Sequence, residues 1–205
     1  MKSGKCSFLI LVLSLGTLFC SRQALAVKHS GQIRTYYIAA DEVDWDYAPL
    51  GIDQMSGMPF DHVSQLWTEQ AKDRIGKVYR KAVYREYTDA SFTILRKRPP
   101  EWEHLGLLGP VLRAEVGDTI RVVFKNNGAQ AYSMHPHGVF YEKNSEGAHY
   151  NDGANDSTHN GMVPPDGTHT YVWEVPERAG PGPNNPSSVL WLYHSHNYEP
   201  TPRPD

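Results

Sequence analysis

The sequence predicts an all-β fold, a Greek-key sandwich or barrel of seven or eight strands, and three observations predict it. The 205 residues include 17 glycines and 15 prolines, more than a helical bundle tolerates, because both residues destabilise helix interiors. Residues 119–125 alternate in polarity, setting Ile120, Val122 and Phe124 on one face and Arg121, Val123 and Lys125 on the other, the pattern of a half-buried antiparallel strand. Short β-branched and aromatic runs recur along the chain between clusters of Gly, Asn, Asp and Pro, as strands recur between turns.

The elements follow in order. Residues 32–40 (Gln-Ile-Arg-Thr-Tyr-Tyr-Ile-Ala-Ala) form a first strand and lead into the acidic, aromatic stretch of Asp41 to Tyr47. A long loop rich in Gly, Pro and Met covers residues 48–73, with a helical turn at 63–71. Residues 78–87 and 91–95 give two more strands. A hairpin is expected next, with residues 111–116 and 119–125 joined at Gly117-Asp118, and after it a turn at 126–130 and a strand at 133–141. A loop over 151–167 separates these from closing strands at 168–175 and 187–196. Neither an internal repeat nor a linker long enough to divide two domains is evident, so one domain is expected.

Charge and cysteine content narrow the function classes. A formal net charge of −3 offers no basic footprint for nucleic acid, and Arg96-Lys97-Arg98 reads as a solvated turn. At the N-terminus, Lys2 and Lys5 precede an apolar run from Phe8 to Phe19, and Ala24-Leu25-Ala26 supplies small residues for cleavage. This is the layout of a secretory signal, and the run is shorter than the roughly 20 residues of a spanning helix. Residues 1–26 are therefore expected to be a signal peptide. The domain would occupy 27–205 in a secreted protein, extracellular or periplasmic, with no membrane span in the mature chain. Both cysteines, Cys6 and Cys20, fall inside that signal. The mature chain then has no thiolate, and any metal site must be built from histidine and carboxylate.

Two motifs carry the chemistry: His135-Pro136-His137-Gly138 and Tyr193-His194-Ser195-His196. On extended backbone, residues i and i+2 point to the same side, about 6 to 7 Å apart along the strand. Each motif thus presents two imidazoles together, which can meet on one ion or divide between two. Two facing pairs line one cleft with four neutral nitrogens, a donor set that suits copper, zinc, iron or nickel over calcium or magnesium. The other six histidines lack such a partner and read as surface or loop residues, with His149 and His169 kept as secondary candidates because they lie near in sequence.

Around these motifs the text resembles a known family. The segments are Tyr36-Tyr37-Ile38 with Asp44-Trp45-Asp46-Tyr47-Ala48, Asp73-Arg74-Ile75-Gly76 with Tyr79-Arg80-Lys81-Ala82, Leu105-Gly106-Leu107-Leu108-Gly109-Pro110 with Ala114-Glu115-Val116-Gly117-Asp118, and Glu146-Gly147-Ala148. In that order, with both histidine pairs, they resemble the first cupredoxin-type domain of the ceruloplasmin- and hephaestin-like multicopper oxidases. The resemblance runs from about residue 33 to residue 197.

The resemblance implies a cupredoxin-like Greek-key domain that supplies half of a trinuclear copper cluster. His135 would bind the type 2 copper, His137 and His194 one type 3 copper, and His196 the other. It implies dioxygen as the electron acceptor, reduced to water, and a reductant such as ferrous iron. The chain lacks the cysteine of a type 1 copper and the other half of the cluster's histidines, so another cupredoxin domain or subunit must complete the site. The chain ends at Asp205, where the family continues with a closing strand, so a sandwich without its last strand is expected. The resemblance also suggests calcium in the loop holding Lys143, Asp152, Asn155 and Asp156, although the spacing of its acids favours a solvated loop.

Two other readings compete. A non-enzymatic secreted copper-binding or interaction module would account for the missing thiolate and missing half-cluster. A cupin-like metalloenzyme would use His135, His137 and Glu142, and would leave His194 and His196 without a role.

Overall fold

A computed structural model describes residues 31–148 and 161–197 of the chain. Six strands are present among them: β1 (Ile33–Asp46), β2 (Val78–Tyr87), β3 (Thr119–Asn126), β4 (His135–Pro136), β5 (Thr168–Glu174) and β6 (Tyr193–His194), with one short helix, α1 (His62–Thr68). A four-stranded sheet runs β2-β1-β3-β5, and β4 and β6 make a separate ribbon. The β1–β3 pair is parallel; β1–β2 and β3–β5 are antiparallel. The all-β expectation holds.

Alternation on β3 decides which way the sheet faces. Ile120, Val122 and Phe124 are buried and Arg121 is exposed, as the sequence pattern requires. The register then sets Trp173 beside Ile120 and Tyr171 beside Val122 across β5, and Ile38 beside Phe124 across β1. These side chains form the core with Met134, Val163 and Val175. On the other side of β1, Tyr84 of β2 lies opposite the small Ala40, which leaves room for its ring to cross toward Phe124 (centroids 6.0 Å apart) and Tyr193 (5.7 Å). Tyr84 thus ties the sheet to the β4–β6 ribbon.

Several elements differ from the sequence reading. β1 extends six residues beyond position 40 through the acidic stretch, because Asp41 is satisfied internally by Arg85 (2.6 Å), the Tyr87 hydroxyl (2.8 Å) and Asn127 (2.7 Å). Residues 91–95 form no strand: Asp89 accepts from the Ser91 N–H at 2.8 Å in a turn, and a single bridge joins Leu95 to Tyr87. The 111–125 hairpin does not form either. Residues 111–115 form no strand and 116–117 are a turn, and β3 pairs with β1 and β5 instead. The strands expected at 133–141 and 187–196 shrink to two residues each. In the first, Pro136 has no N–H to give and Gly138 turns at φ +77°.

Asp118 explains the lost hairpin. Its buried carboxylate accepts from the backbone N–H of Gln32 at 2.8 Å and of Glu115 at 2.9 Å, and from the Arg34 guanidinium, so the 115–118 turn is bound to the start of β1. Burial alone would raise this carboxyl's pKa; the two N–H donors and Arg34 outweigh it and hold it at about 2. The unfolded value is about 3.9, so the native state gains stability above that pH and loses it as pH falls through the folded value. The gain is about 2 kcal/mol. Urea midpoints of the protein and of Asp118→Asn are expected to differ steadily above about pH 5 and to converge toward about pH 2; a gap that persists into acid would place the effect elsewhere.

Among the described residues, no helix is long and apolar enough to cross a membrane. The expected signal, residues 1–26, lies outside the described residues.

Candidate metal centre

The β4–β6 ribbon pairs His135 with His194 and Pro136 with Tyr193. Antiparallel pairing brings the two His-x-His motifs side by side, and the two-residue period of extended backbone puts their rings on one side. His135 lies 5.3 Å from His137, 5.5 Å from His194 and 5.2 Å from His196 between ring centroids; His137 and His194 are 5.2 Å apart, and His194 and His196 5.6 Å. The structure therefore brings together all four histidines singled out in the sequence. Ligand atoms of His135, His137 and His194 all lie within 4.8 Å of one another.

Outer contacts orient the rings. His135 Nδ1 is 2.6 Å from the carbonyl of Glu146, and His194 Nδ1 is 2.9 Å from the carbonyl of Ser195. A carbonyl only accepts, so each Nδ1 carries the proton and each Nε2 keeps its lone pair for a metal. The two Nε2 atoms of His137 and His194 lie 3.1 Å apart; without a metal, His137 Nε2–H donates to His194. Burial lowers the pKa of His135, aided by the charges of the other three histidines and opposed by the Glu146 carbonyl, which favours the neutral ligand form. Four imidazoles, with no carboxylate in the ligating group among the described residues, fit a borderline or soft transition metal such as copper.

Two glycines shape this cleft. Gly147 has φ +66°, and a Cβ there would lie 2.3 Å from the Met134 carbonyl oxygen, so only glycine lets the Glu146 carbonyl approach His135. Gly138, at φ +77°, lies under the Trp191 ring, where a Cβ would come within 2.3 Å. Trp191 is anchored by its Nε1–H to the Ala179 carbonyl at 2.9 Å, and the His137 N–H donates to the Leu192 carbonyl at 2.9 Å. The Glu146 carbonyl was invisible as a ligand-orienting group in the sequence, because a backbone atom has no residue signature; the glycine after it was the available signal.

His137, His194 and His196 are exposed and His135 is half-buried. Apolar residues close to the motifs in sequence are exposed as well: Leu190 (82%) and Leu192 (67%) before the second motif and Phe140 (47%) after the first. Glu142, the third cupin-type ligand considered, is exposed and caps a 3-10 turn with its carbonyl, and it is absent from the metal-ligating group found among the described residues. Lys143 starts that 3-10 turn and bonds the Glu146 carboxylate at 2.9 Å; Asp152, Asn155 and Asp156, the other calcium candidates, lie outside the described residues.

Comparison with known proteins bears on this constellation. A multicopper oxidase family model matches residues 105–199. The chain is 48% identical over 166 residues to the human protein named ferroxidase HEPHL1, covering 80% of this chain and 14% of the relative. It is 46% identical over 193 residues to human ceruloplasmin (88% and 17%) and 44% identical over 169 residues to human hephaestin (81% and 14%). The chain thus spans less than a fifth of the length of these relatives.

Proposed function

This chain belongs to the multicopper oxidase family, and we propose that it is the copper-binding first domain of a ceruloplasmin-like oxidase, supplying four histidines to a trinuclear cluster completed by another cupredoxin domain. Copper follows from the family; the cluster type and the roles of single residues are the proposal. His135 would hold the type 2 copper, His137 and His194 one type 3 copper, and His196 the other. The Nε2 separation of 3.1 Å between His137 and His194 supports a shared ion, since two nitrogens about 2.0 Å from one metal in open tetrahedral geometry are separated by roughly that much.

When bound, such a cluster reduces dioxygen to water with electrons from a reductant, for which ferrous iron is the candidate. This chain's residues do the positioning. The Glu146 and Ser195 carbonyls fix two tautomers, Trp191 packs behind the first motif, and burial keeps His135 neutral. The exposed apolar rim fits a domain-sized lid that excludes water and brings the remaining ligands. Secretion through residues 1–26 accords with the reading.

The observation that carries this reading is the convergence of four imidazoles, three of them with nitrogens within 4.8 Å, on one open face. Copper titration of the purified full chain against a competing chelator tests it, with absorption and oxygen uptake on ferrous iron as further readouts. Copper binding is expected at the histidine face, without the intense blue absorption of a copper–thiolate site and without oxygen reduction by this chain alone. Failure to bind copper would overturn the site; oxygen reduction by the chain alone would overturn the shared cluster.

A further inference from the structure

We propose that Ser133 and Ser195 are positioning residues for the metal centre, a reciprocal hydroxyl clasp that holds the two histidine motifs in register. This rests on the reading of the four histidines as metal ligands. The β4–β6 ribbon is two residue pairs long, and one of its four residues is proline, which donates nothing to a ladder. So short a ribbon is marginal by itself. Yet the distances among four rings on two strands depend on its register, and a slip of one residue would turn a motif's imidazoles to the opposite side.

The serines lengthen the ribbon at the end where backbone pairing stops. The Ser133 N–H donates to Ser195 Oγ at 3.2 Å, and the His196 N–H donates to Ser133 Oγ at 3.0 Å. Each hydroxyl thus stands in for a backbone carbonyl on the facing strand, giving two cross-strand rungs beyond the His135–His194 pair. Ser195 is the middle residue of its motif, so its side chain points away from the imidazoles of His194 and His196. It cannot be a ligand with them. Ser133 is fully buried, so its N–H has no water to turn to if the clasp is removed.

A third hydroxyl secures the clasp from the sheet. Tyr84 Oη donates to the Ser133 carbonyl, and burial raises the phenol's pKa far above its ordinary value, so it remains a protonated donor. On the next residue, the Met134 N–H donates to Tyr171 Oη at 3.1 Å. The strand entering His135 is therefore fixed by side chains of β2, β5 and the second histidine motif. A serine at the middle position of a His-x-His motif is polar where a buried strand face would favour an apolar residue, and the clasp supplies the reason.

Native-state hydrogen exchange of the metal-free full chain, followed by copper competition titrations, tests the proposal. In the unaltered protein the Ser133 and His196 amides are expected to be protected like the core amides of β3; exchange at the rate of open loops would overturn the clasp without any variant. Ser195→Ala is expected to expose the Ser133 amide, and Ser133→Ala the His196 amide, each by at least about tenfold. Either should weaken copper binding about 10- to 100-fold, the usual effect of losing an outer-shell partner, while Ser195→Thr restores both. Ile38→Val, a core change remote from the histidines, should destabilise without weakening copper. Unchanged amide protection and copper affinity in a folded Ser195→Ala protein would overturn the clasp. If the unaltered chain binds no copper, the metal-centre reading fails, and amide exchange still decides the clasp by itself.

Discussion

Alanine at His194 is expected to weaken copper binding by more than the roughly 10- to 100-fold that loss of an outer-shell partner costs. His194 is within 5.2–5.6 Å of each of the other three rings, and its Nε2 is 3.1 Å from that of His137. Removing it takes away a donor and leaves His137 without its facing nitrogen. His137→Ala should cost a comparable amount, and the double variant little more than either single one, because two donors on one ion do not contribute independently. His104→Ala is the control, since that ring is exposed beside Trp102, with centroids 5.9 Å apart, and should leave copper untouched. Chelator competition on each folded variant checks all four. Copper lost in Glu142→Ala but retained in His194→Ala would instead restore the cupin-type site of His135, His137 and Glu142.

Phe124→Ala carries the largest expected effect on stability, about 3–5 kcal/mol. Phe124 is fully buried on β3, edge-on to Tyr84 and tilted against Tyr171, both with centroids 6.0 Å away. Truncation would open a cavity between the two tyrosines whose hydroxyls hold the Ser133 carbonyl and the Met134 N–H. The thermal midpoint should fall on the order of 10 °C. Copper binding should weaken with it, because the strand leading into His135 loses its backing. Phe124→Leu keeps most of the volume and should cost well under half as much. A loss below about 1 kcal/mol for the alanine variant would contradict the central place given to Phe124 in the core.

The difference between β3 and the histidine strands shows where the sequence can be read. Ile120, Val122 and Phe124 announce themselves because a half-buried strand in the middle of a sheet must alternate, and β2 and β5 fell where their β-branched and aromatic runs placed them. The 111–125 segment forms no hairpin because of a contact that no local pattern shows. Gly117-Asp118 looks like a hairpin turn locally, but the Asp118 carboxylate accepts from Gln32, 86 positions earlier in the chain, and so binds the turn to β1. The 133–141 and 187–196 runs have strand composition throughout, yet only two residues of each pair, since Pro136, Gly138 and the side-chain clasp replace a continuous ladder.

The sequence by itself singled out four imidazoles as candidate metal ligands. Two His-x-His motifs fix four imidazoles in two pairs, because the spacing of two on extended backbone leaves the rings no other side to take. It also fixed the family, through segments such as Trp45-Asp46-Tyr47 and Leu108-Gly109-Pro110 that local chemistry alone would not demand. Only the tertiary structure decided that the two pairs meet, that the Nε2 atoms of His137 and His194 face each other at 3.1 Å, and that three of the four rings stand exposed. Those outcomes depend on hydrogen bonds between residues far apart in the chain, such as Tyr84 with Ser133 and Ser195 with Ser133. Such bonds form only once packing has brought their partners together, and no local pattern of residue types encodes them.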